Sequence, residues 1–453
     1  MISSNSLKET LHFYNPWWET ERVPRDLLKE YQRPVLKDIL SYLFLDRVIV
    51  LKGPRRTGKS TLLYQVADAL LRRGVPPHDI LFLSFDDIKL RMDMDDILKG
   101  YQEISRRLIK TGKPVYLLLD EVHFLDNWQF YVKKYFDRKY PVKFIVSGSA
   151  ATLIRRGSES LAGRTIEETI YPFSFYEYLC YRLKKDKLTK IISDLREAYD
   201  PFKAFDTTEL IPYRDRIRIL FEEYKEKGGF PNLFGIDEAL IWKRIAREDI
   251  VEKVIYRDLV ELYDIKKPEA LEKLFLYLVD ITSNIFSVAN ISNSLGISRE
   301  YTEKYIYYLE QALLVKRIRK LAKFVEKTIR GAEKVHVLDT GLINAFSKIE
   351  QGKIVESMVT SHLMRLKDRK LYYFREKYEV DIVLERDKEL LPVEIKYKDD
   401  VRIRELKGGL GNFFMKFKAD SAVVVTRDLM NEDILDGHKI IFMPAWLFVL
   451  LSA

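Results

Sequence analysis

Short, continuous apolar runs at residues 48–51, 80–85, 115–119 and 142–146 alternate with stretches whose apolar positions recur at helical spacing. Runs of this length, rich in β-branched residues, suit strands buried on both faces, as in a parallel sheet covered by helices. Ahead of them, residues 1–28 form a polar lead-in broken by the aromatic patch Phe13-Tyr14-Asn15-Pro16-Trp17-Trp18. The alternating region is expected over 29–170. Residues 171–267 are helical in pattern and strongly charged. Lys266-Lys267-Pro268 makes a joint there, because proline disfavours helix at the residue before it. A small helical unit ending in a basic ribbon is expected over 268–335, and mixed helix and strand over 336–453.

Composition narrows the class. The 453 residues are 47% hydrophobic and 32% charged, which suits a core-forming chain and not a disordered one. No apolar run approaches the ~18–20 residues that span a bilayer. The start lacks a basic-then-apolar leader pattern. A cytoplasmic protein without membrane contact is the expectation. The single cysteine, Cys180, excludes an internal disulfide and a cysteine metal cluster. With 77 basic against 68 acidic residues, the net charge of +9 fits a polyanion partner, although much of it will be a solvated, ion-paired surface. The abundance of Lys, Arg, Glu and Tyr also fits a thermophile.

Candidate chemistry begins after the first run. Gly53-Pro54-Arg55-Arg56-Thr57-Gly58-Lys59-Ser60-Thr61 follows a strand and opens a helix, the setting that a G-x-x-x-x-G-K-S phosphate loop requires. Its glycines let backbone N–H groups wrap a phosphate, and the helix N-terminus adds partial positive charge. Lys59 is placed for the β- and γ-phosphates of ATP and Ser60 for magnesium. The strand at 115–119 delivers Asp120 and Glu121 at its C-terminal end, where open parallel sheets place ligand sites. Asp120 is read as holding magnesium through water, and Glu121 as the general base that polarises the attacking water. The strand at 142–146 ends in Ser147-Gly148-Ser149. Either serine suits a sensor of the γ-phosphate, and the sequence does not choose. Arg155, Arg156 and Arg164 follow as arginine-finger candidates, in this chain or on a neighbour.

Residues 13–265 resemble the AAA+ ATPases, in particular the archaeal and bacterial branch near the STAND signalling ATPases. The matching stretches are Asn15-Pro16-Trp17-Trp18, Gln32-Arg33-Pro34, the phosphate loop, Asp120-Glu121, Ser147-Gly148-Ser149, Leu161-Ala162-Gly163-Arg164, Pro172-Phe173-Ser174-Phe175 and Gly228-Gly229-Phe230-Pro231. The resemblance implies a helical lid over 171–267, with Pro231 packing on the adenine.

Residues 287–295 read as a short amphipathic helix, 296–298 as a turn and 299–314 as a second helix. Two extended basic segments follow to 337. This order resembles a winged helix-turn-helix. Arg299, Lys304 and Tyr307 would then face outward on the recognition helix. Lys316, Arg317, Arg319, Lys320 and Lys323 would line a wing for DNA phosphates. Glu300 and Glu303 lie on the same outward side and oppose a DNA backbone.

The last third carries a second constellation. Asp381 lies in one expected strand, and Glu394 and Lys396 lie two apart in the next, on one face. Charges inside the apolar run Val393-Glu394-Ile395 cost free energy unless partnered or functional. Carboxylates converging there suit a divalent cation that activates water against a phosphodiester. The lysine suits the developing negative charge. The arrangement resembles the PD-(D/E)xK nucleases, which implies Glu356, Asp381, Glu394 and Lys396 as the site, with Asp381 and Glu394 as metal ligands. His336, His362 and His438 show no ligand spacing and are read as structural. The fold expected is therefore α/β: a P-loop AAA+ parallel sheet with a helical lid, a winged helix-turn-helix, then a restriction-endonuclease-like α/β domain. The function expected is a magnesium-dependent ATPase that binds DNA and cuts it through the C-terminal domain. The alternative is a STAND-like switch whose C-terminal domains grip a protein partner. Self-association is a further expectation.

Overall fold

Strands β1 (Val48–Lys52), β2 (Ile80–Ser84), β3 (Val115–Asp120), β4 (Val142–Gly148) and β5 (Thr165–Thr169) form one parallel sheet in the order β2-β3-β4-β1-β5. The computed structural model describes residues 4–106, 112–151, 153, 161–184, 186–203, 206–324, 326, 328 and 331–452. The chain divides into two units, Met1–Tyr171 and Pro172–Ala453. In the first, β1 to β4 are the four apolar runs, nearly all buried, with helices Lys59–Arg72, Met94–Ser105 and Trp128–Asp137 between them. The fifth strand, Thr-Ile-Glu-Glu-Thr, escaped the hydrophobic pattern because it is an edge strand with polar groups to solvent.

The lead-in is part of this fold. Helices Ser4–Tyr14 and Trp17–Thr20 lie against the other edge strand, β2. Asn15 accepts from the Phe82 N–H (2.6 Å) and donates to the Phe82 carbonyl (2.9 Å), as a neighbouring strand would. Both indole N–H groups of Trp17 and Trp18 donate to the Ile80 carbonyl, at 3.1 and 3.0 Å. An exposed edge is thus covered and its backbone satisfied.

The second unit is built on nine strands: β6 (Asn284–Phe286), β7 (Val315–Lys320), β8 (Glu333–Val337), β9 (Lys370–Arg375), β10 (Glu379–Arg386), β11 (Glu389–Lys396), β12 (Ser421–Thr426), β13 (Asn431–Leu435) and β14 (His438–Pro444). Their order is β13-β14-β12-β11-β10-β9-β7-β8-β6. The helices expected from 287 onward are present as Val288–Leu295 and Arg299–Gln311, with Ser298 capping the second through the Tyr301 N–H. β7 pairs with β8 on one side and with β9 on the other (Arg319 opposite Tyr372), so the ribbon lies inside the sheet of the last third. The boundary expected at 335/336 accordingly falls within β8.

The region expected as a lid is fastened to that same sheet's helices. The Phe175 N–H donates to His362 Nε2 (3.0 Å), the Gly229 N–H to Asp339 (2.8 Å), and Asn344 to the Lys225 and Glu226 carbonyls (both 2.9 Å). Ser174 and Glu177 form a reciprocal cap on helix Phe175–Leu183. Among the described residues, no helix is long and apolar enough to cross a membrane.

Candidate functional site

Because β4 lies between β1 and β3, the loop leaving β1, the carboxylates ending β3 and the serine ending β4 meet at one edge of the sheet. Gly58 stands at φ +91°, a conformation that disfavours a side chain, and begins helix Lys59–Arg72. At Gly53 a Cβ would lie 2.2 Å from the Ile170 carbonyl, so only glycine fits. The Thr57 hydroxyl closes the loop on the Pro54 carbonyl (2.9 Å). Pro54 and Thr57 are buried, Gly58, Ser60, Thr61 and Arg55 partly exposed, and Arg56 exposed at φ +65°. Just ahead of helix Val35–Tyr42, Arg33 donates to the carbonyls of Thr57 (2.9 Å) and Tyr171 (3.0 Å) and braces the loop. The sequence signalled this brace only through the Gln32-Arg33-Pro34 resemblance.

Lys59 is buried and donates to the Gly53 (3.1 Å) and Pro54 (2.9 Å) carbonyls, 4.0 Å from Glu121. The Ser60 hydroxyl donates to one oxygen of Asp120 at 2.6 Å. Ser147 donates to the other and accepts from the Glu121 N–H at 3.4 Å. Of the two candidate serines, Ser147 therefore joins the carboxylates. Ser149 is buried just past the end of β4. Burial, then the neighbouring Glu121 charge, pushes Asp120 up to about 6. Glu121 adopts φ +48°, a strained region for a residue with a Cβ and one common at functional sites. Its Oε2 has no hydrogen-bond partner among the described residues, and His123 Nδ1 stands 3.4 Å from it. A hydroxyl beside one buried carboxylate, with a second carboxylate adjoining, fits a magnesium ion arriving with ATP. Ser60 and Asp120 would hold it. It would supply positive charge to the phosphate oxygens.

Arg164 does not join this site. It precedes β5, opposite the start of β1, with its carbonyl bonded to the Val48 N–H (2.8 Å), so it lies at the far end of the sheet from the phosphate loop. Its guanidinium is held by Asp137 (2.7 and 3.3 Å). Arg155 and Arg156 lie outside the described residues. Pro231 opens the turn Pro231–Leu233 in the second unit.

In that unit, Glu356 on helix Gln351–Leu363, Asp381 on β10 and Glu394 with Lys396 on β11 do converge. Lys396 pairs with Glu394 at 2.5 Å, and Asp381 accepts from the Ile395 N–H at 2.8 Å. A fifth residue, which the sequence reading missed, stands among them. Lys334 on β8 brings its ammonium to 2.5 Å from Glu356, 2.6 Å from Glu379 and 3.6 Å from Asp381. Its side chain is 1% exposed. Burial alone would lower its pKa, but the surrounding carboxylates of Glu356, Asp381 and Glu379 prevail and raise it. Burial raises Glu356 well above the usual range. Burial and then Asp381 push Glu394 up to about 8. Behind Lys334, His336 is fully buried and its pKa is lowered by burial and by Lys334, which keeps it neutral. Among the described residues, no three side chains of His, Cys, Asp or Glu gather into a set that holds a metal ion. As the side chains stand, the Lys334 ammonium takes the place among Glu356, Glu379 and Asp381 that a divalent cation would need.

Arg317 is enclosed by Glu303 (2.6 Å), Glu310 (2.8 Å) and Glu333 (3.0 Å). Lys304 pairs with Glu300 (2.6 Å), and Arg319 lies 3.5 Å from Glu333. Arg299, Lys316 and Lys323 are exposed, Lys320 is partly exposed, and Tyr301 and Tyr307 present exposed rings on the helix.

Residues 45–179 match the family model described as an AAA domain. Residues 218–353 and 351–446 match two models described as domains of unknown function, DUF8612 and DUF4143. An uncharacterized protein of Methanocaldococcus jannaschii is 29% identical over 82% of this chain and 80% of its own length. One from Haemophilus influenzae is 24% identical over 91% of this chain and 97% of its own. Among solved structures, AMPPCP-bound DnaA from Aquifex aeolicus is 20% identical over 66% of this chain and 93% of its own, with a TM-score of 0.25, too slight a likeness to argue from. The first unit carries an AAA-type ATPase domain.

Proposed function

We propose that this chain is a magnesium-dependent ATP hydrolase acting as a nucleotide-driven switch, whose second unit holds a protein partner and does not cut DNA. The observation that carries the hydrolase is the Ser60–Asp120–Ser147 chain of hydrogen bonds, with Glu121 beside it and its Oε2 without a hydrogen-bond partner among the described residues. In this reading the loop's N–H groups bind phosphate, and Lys59 exchanges its two loop carbonyls for phosphate oxygens. Ser60 and Asp120 hold magnesium. Ser147 fixes Asp120, and Glu121 takes a proton from the attacking water. Pro231 is read as the adenine contact. The non-cutting output is supported by Lys334, whose charge already compensates the nuclease-like carboxylates. The protein partner is supported by Glu300 and Glu303 beside the exposed rings of Tyr301 and Tyr307, and by the enclosure of Arg317.

A second reading, in which DNA is the partner, is favoured by the exposed Arg299, Lys316 and Lys323 and by the net charge of +9. Incubating the protein with labelled linear, branched and single-stranded DNA, magnesium or manganese, and with or without ATP separates the two. The proposal expects ATP turnover with neither cleavage nor nucleotide-dependent DNA retention. Retention without cleavage favours the second reading. Cleavage that disappears in Asp381→Ala overturns the non-cutting output.

A further inference from the structure

We propose that Lys334 is the resident cation of the C-terminal carboxylate cluster and that its ammonium keeps divalent metal ions out of the folded protein. The inference deepens the non-cutting output proposed above and rests on it. Three carboxylates, from Glu356, Glu379 and Asp381, point at one ammonium. An ammonium placed among these three carboxylates takes the oxygens and the space between them that a divalent ion would need, so lysine and metal compete for one position.

The lysine cannot easily leave. Its strand is paired on both sides, with Ile318 of β7 and Ile285 of β6 opposite it, so its backbone position is fixed by two ladders. A buried lysine usually extends its head to water; this one is 1% exposed. A metal entering beside it would meet a like charge in a medium that screens poorly. Lys396 holds one oxygen of Glu394, whose Oε2 has no hydrogen-bond partner among the described residues, and the Ile395 N–H holds one oxygen of Asp381. The cluster therefore uses a lysine where the nuclease-like arrangement calls for a metal, and its carboxylates pin β8, β10 and helix Gln351–Leu363 together.

The test is manganese binding to the full-length, nucleotide-free protein, followed by electron paramagnetic resonance, for wild type, Asp381→Asn, Lys334→Met and the double variant. Wild type and Asp381→Asn should bind the same amount of manganese. Lys334→Met should gain one site, at least tenfold tighter than any wild-type binding that depends on Asp381, and the double variant should lose it. Manganese bound by wild type and lost in Asp381→Asn overturns the inference, as does a folded Lys334→Met that gains no site. If Lys334→Met fails to fold, the comparison of wild type with Asp381→Asn decides alone. None of these outcomes depends on ATP turnover or partner binding, so failure here is distinguishable from failure of the proposed function.

Discussion

Single buried charges set the chemistry of both units, and their energetics make definite predictions. Asp339 is fully buried, and burial pushes its carboxyl up to about 6 although the Gly229 and Leu342 N–H groups donate to it. Between the unfolded value near 3.8 and about 6, the folded chain keeps a proton that the unfolded chain has released. Stability should therefore fall as pH rises through that window. At about 1.4 kcal/mol per pH unit, the loss approaches about 3 kcal/mol by pH 7. Urea unfolding of wild type and Asp339→Asn should show wild type losing this much relative to the variant between pH 4 and 7; parallel profiles would refute it. In the ATP site, Ser147→Ala removes a hydrogen bond to a buried carboxylate. Such bonds are worth about 1.5–3 kcal/mol. ATP turnover should fall about tenfold or more in Ser147→Ala, and an unchanged rate would refute the role given to that bond.

Secondary elements divide into those whose pattern announces them and those whose partners decide them. The four buried strands and the phosphate loop were legible because a strand covered on both faces must be continuously apolar and because the loop's chemistry is local. β5 was not, since an edge strand tolerates Thr and Glu. The lead-in read as polar for a related reason. Its contribution is the Asn15 amide bonded to β2, a pairing that no periodicity encodes. The basic ribbon was placed correctly as strands, but its second neighbour, β9, comes from fifty residues further on and could not be read locally. Lys334 was missed because a lone lysine in a strand looks like surface until three carboxylates from two other elements surround it. Arg164, a finger candidate in this chain or on a neighbour, lies at the far end of the sheet from this chain's own phosphate loop. A prediction follows for the lead-in. Asn15→Ala leaves the Phe82 N–H and carbonyl without their partner, at about 1–3 kcal/mol for each buried group. Urea unfolding of the first unit should shift by at least about 2 kcal/mol; an unchanged midpoint would mean the helices cover β2 without needing that pairing.

At the scale of the whole molecule, the division falls at 171/172, and the segments expected as lid, winged helix and nuclease-like domain belong to one unit. The bonds from His362 to Phe175 and from Asp339 to Gly229 tie the first of those segments to the last. Residues 172–453 should accordingly fold when expressed alone, with a cooperative thermal transition by circular dichroism, whereas a fragment ending at 267 should not. A switch needs an intact motor before its output matters, and the motor rests on Glu121 beside the Ser60–Asp120 pair. The decisive measurement is magnesium-dependent ATP turnover alongside ATP binding in wild type and Glu121→Gln. The account predicts turnover in wild type, a loss of about 10²–10⁴-fold in the variant, and ATP binding retained in both. Equal turnover in the two proteins, or none in a wild type that binds ATP, would contradict it.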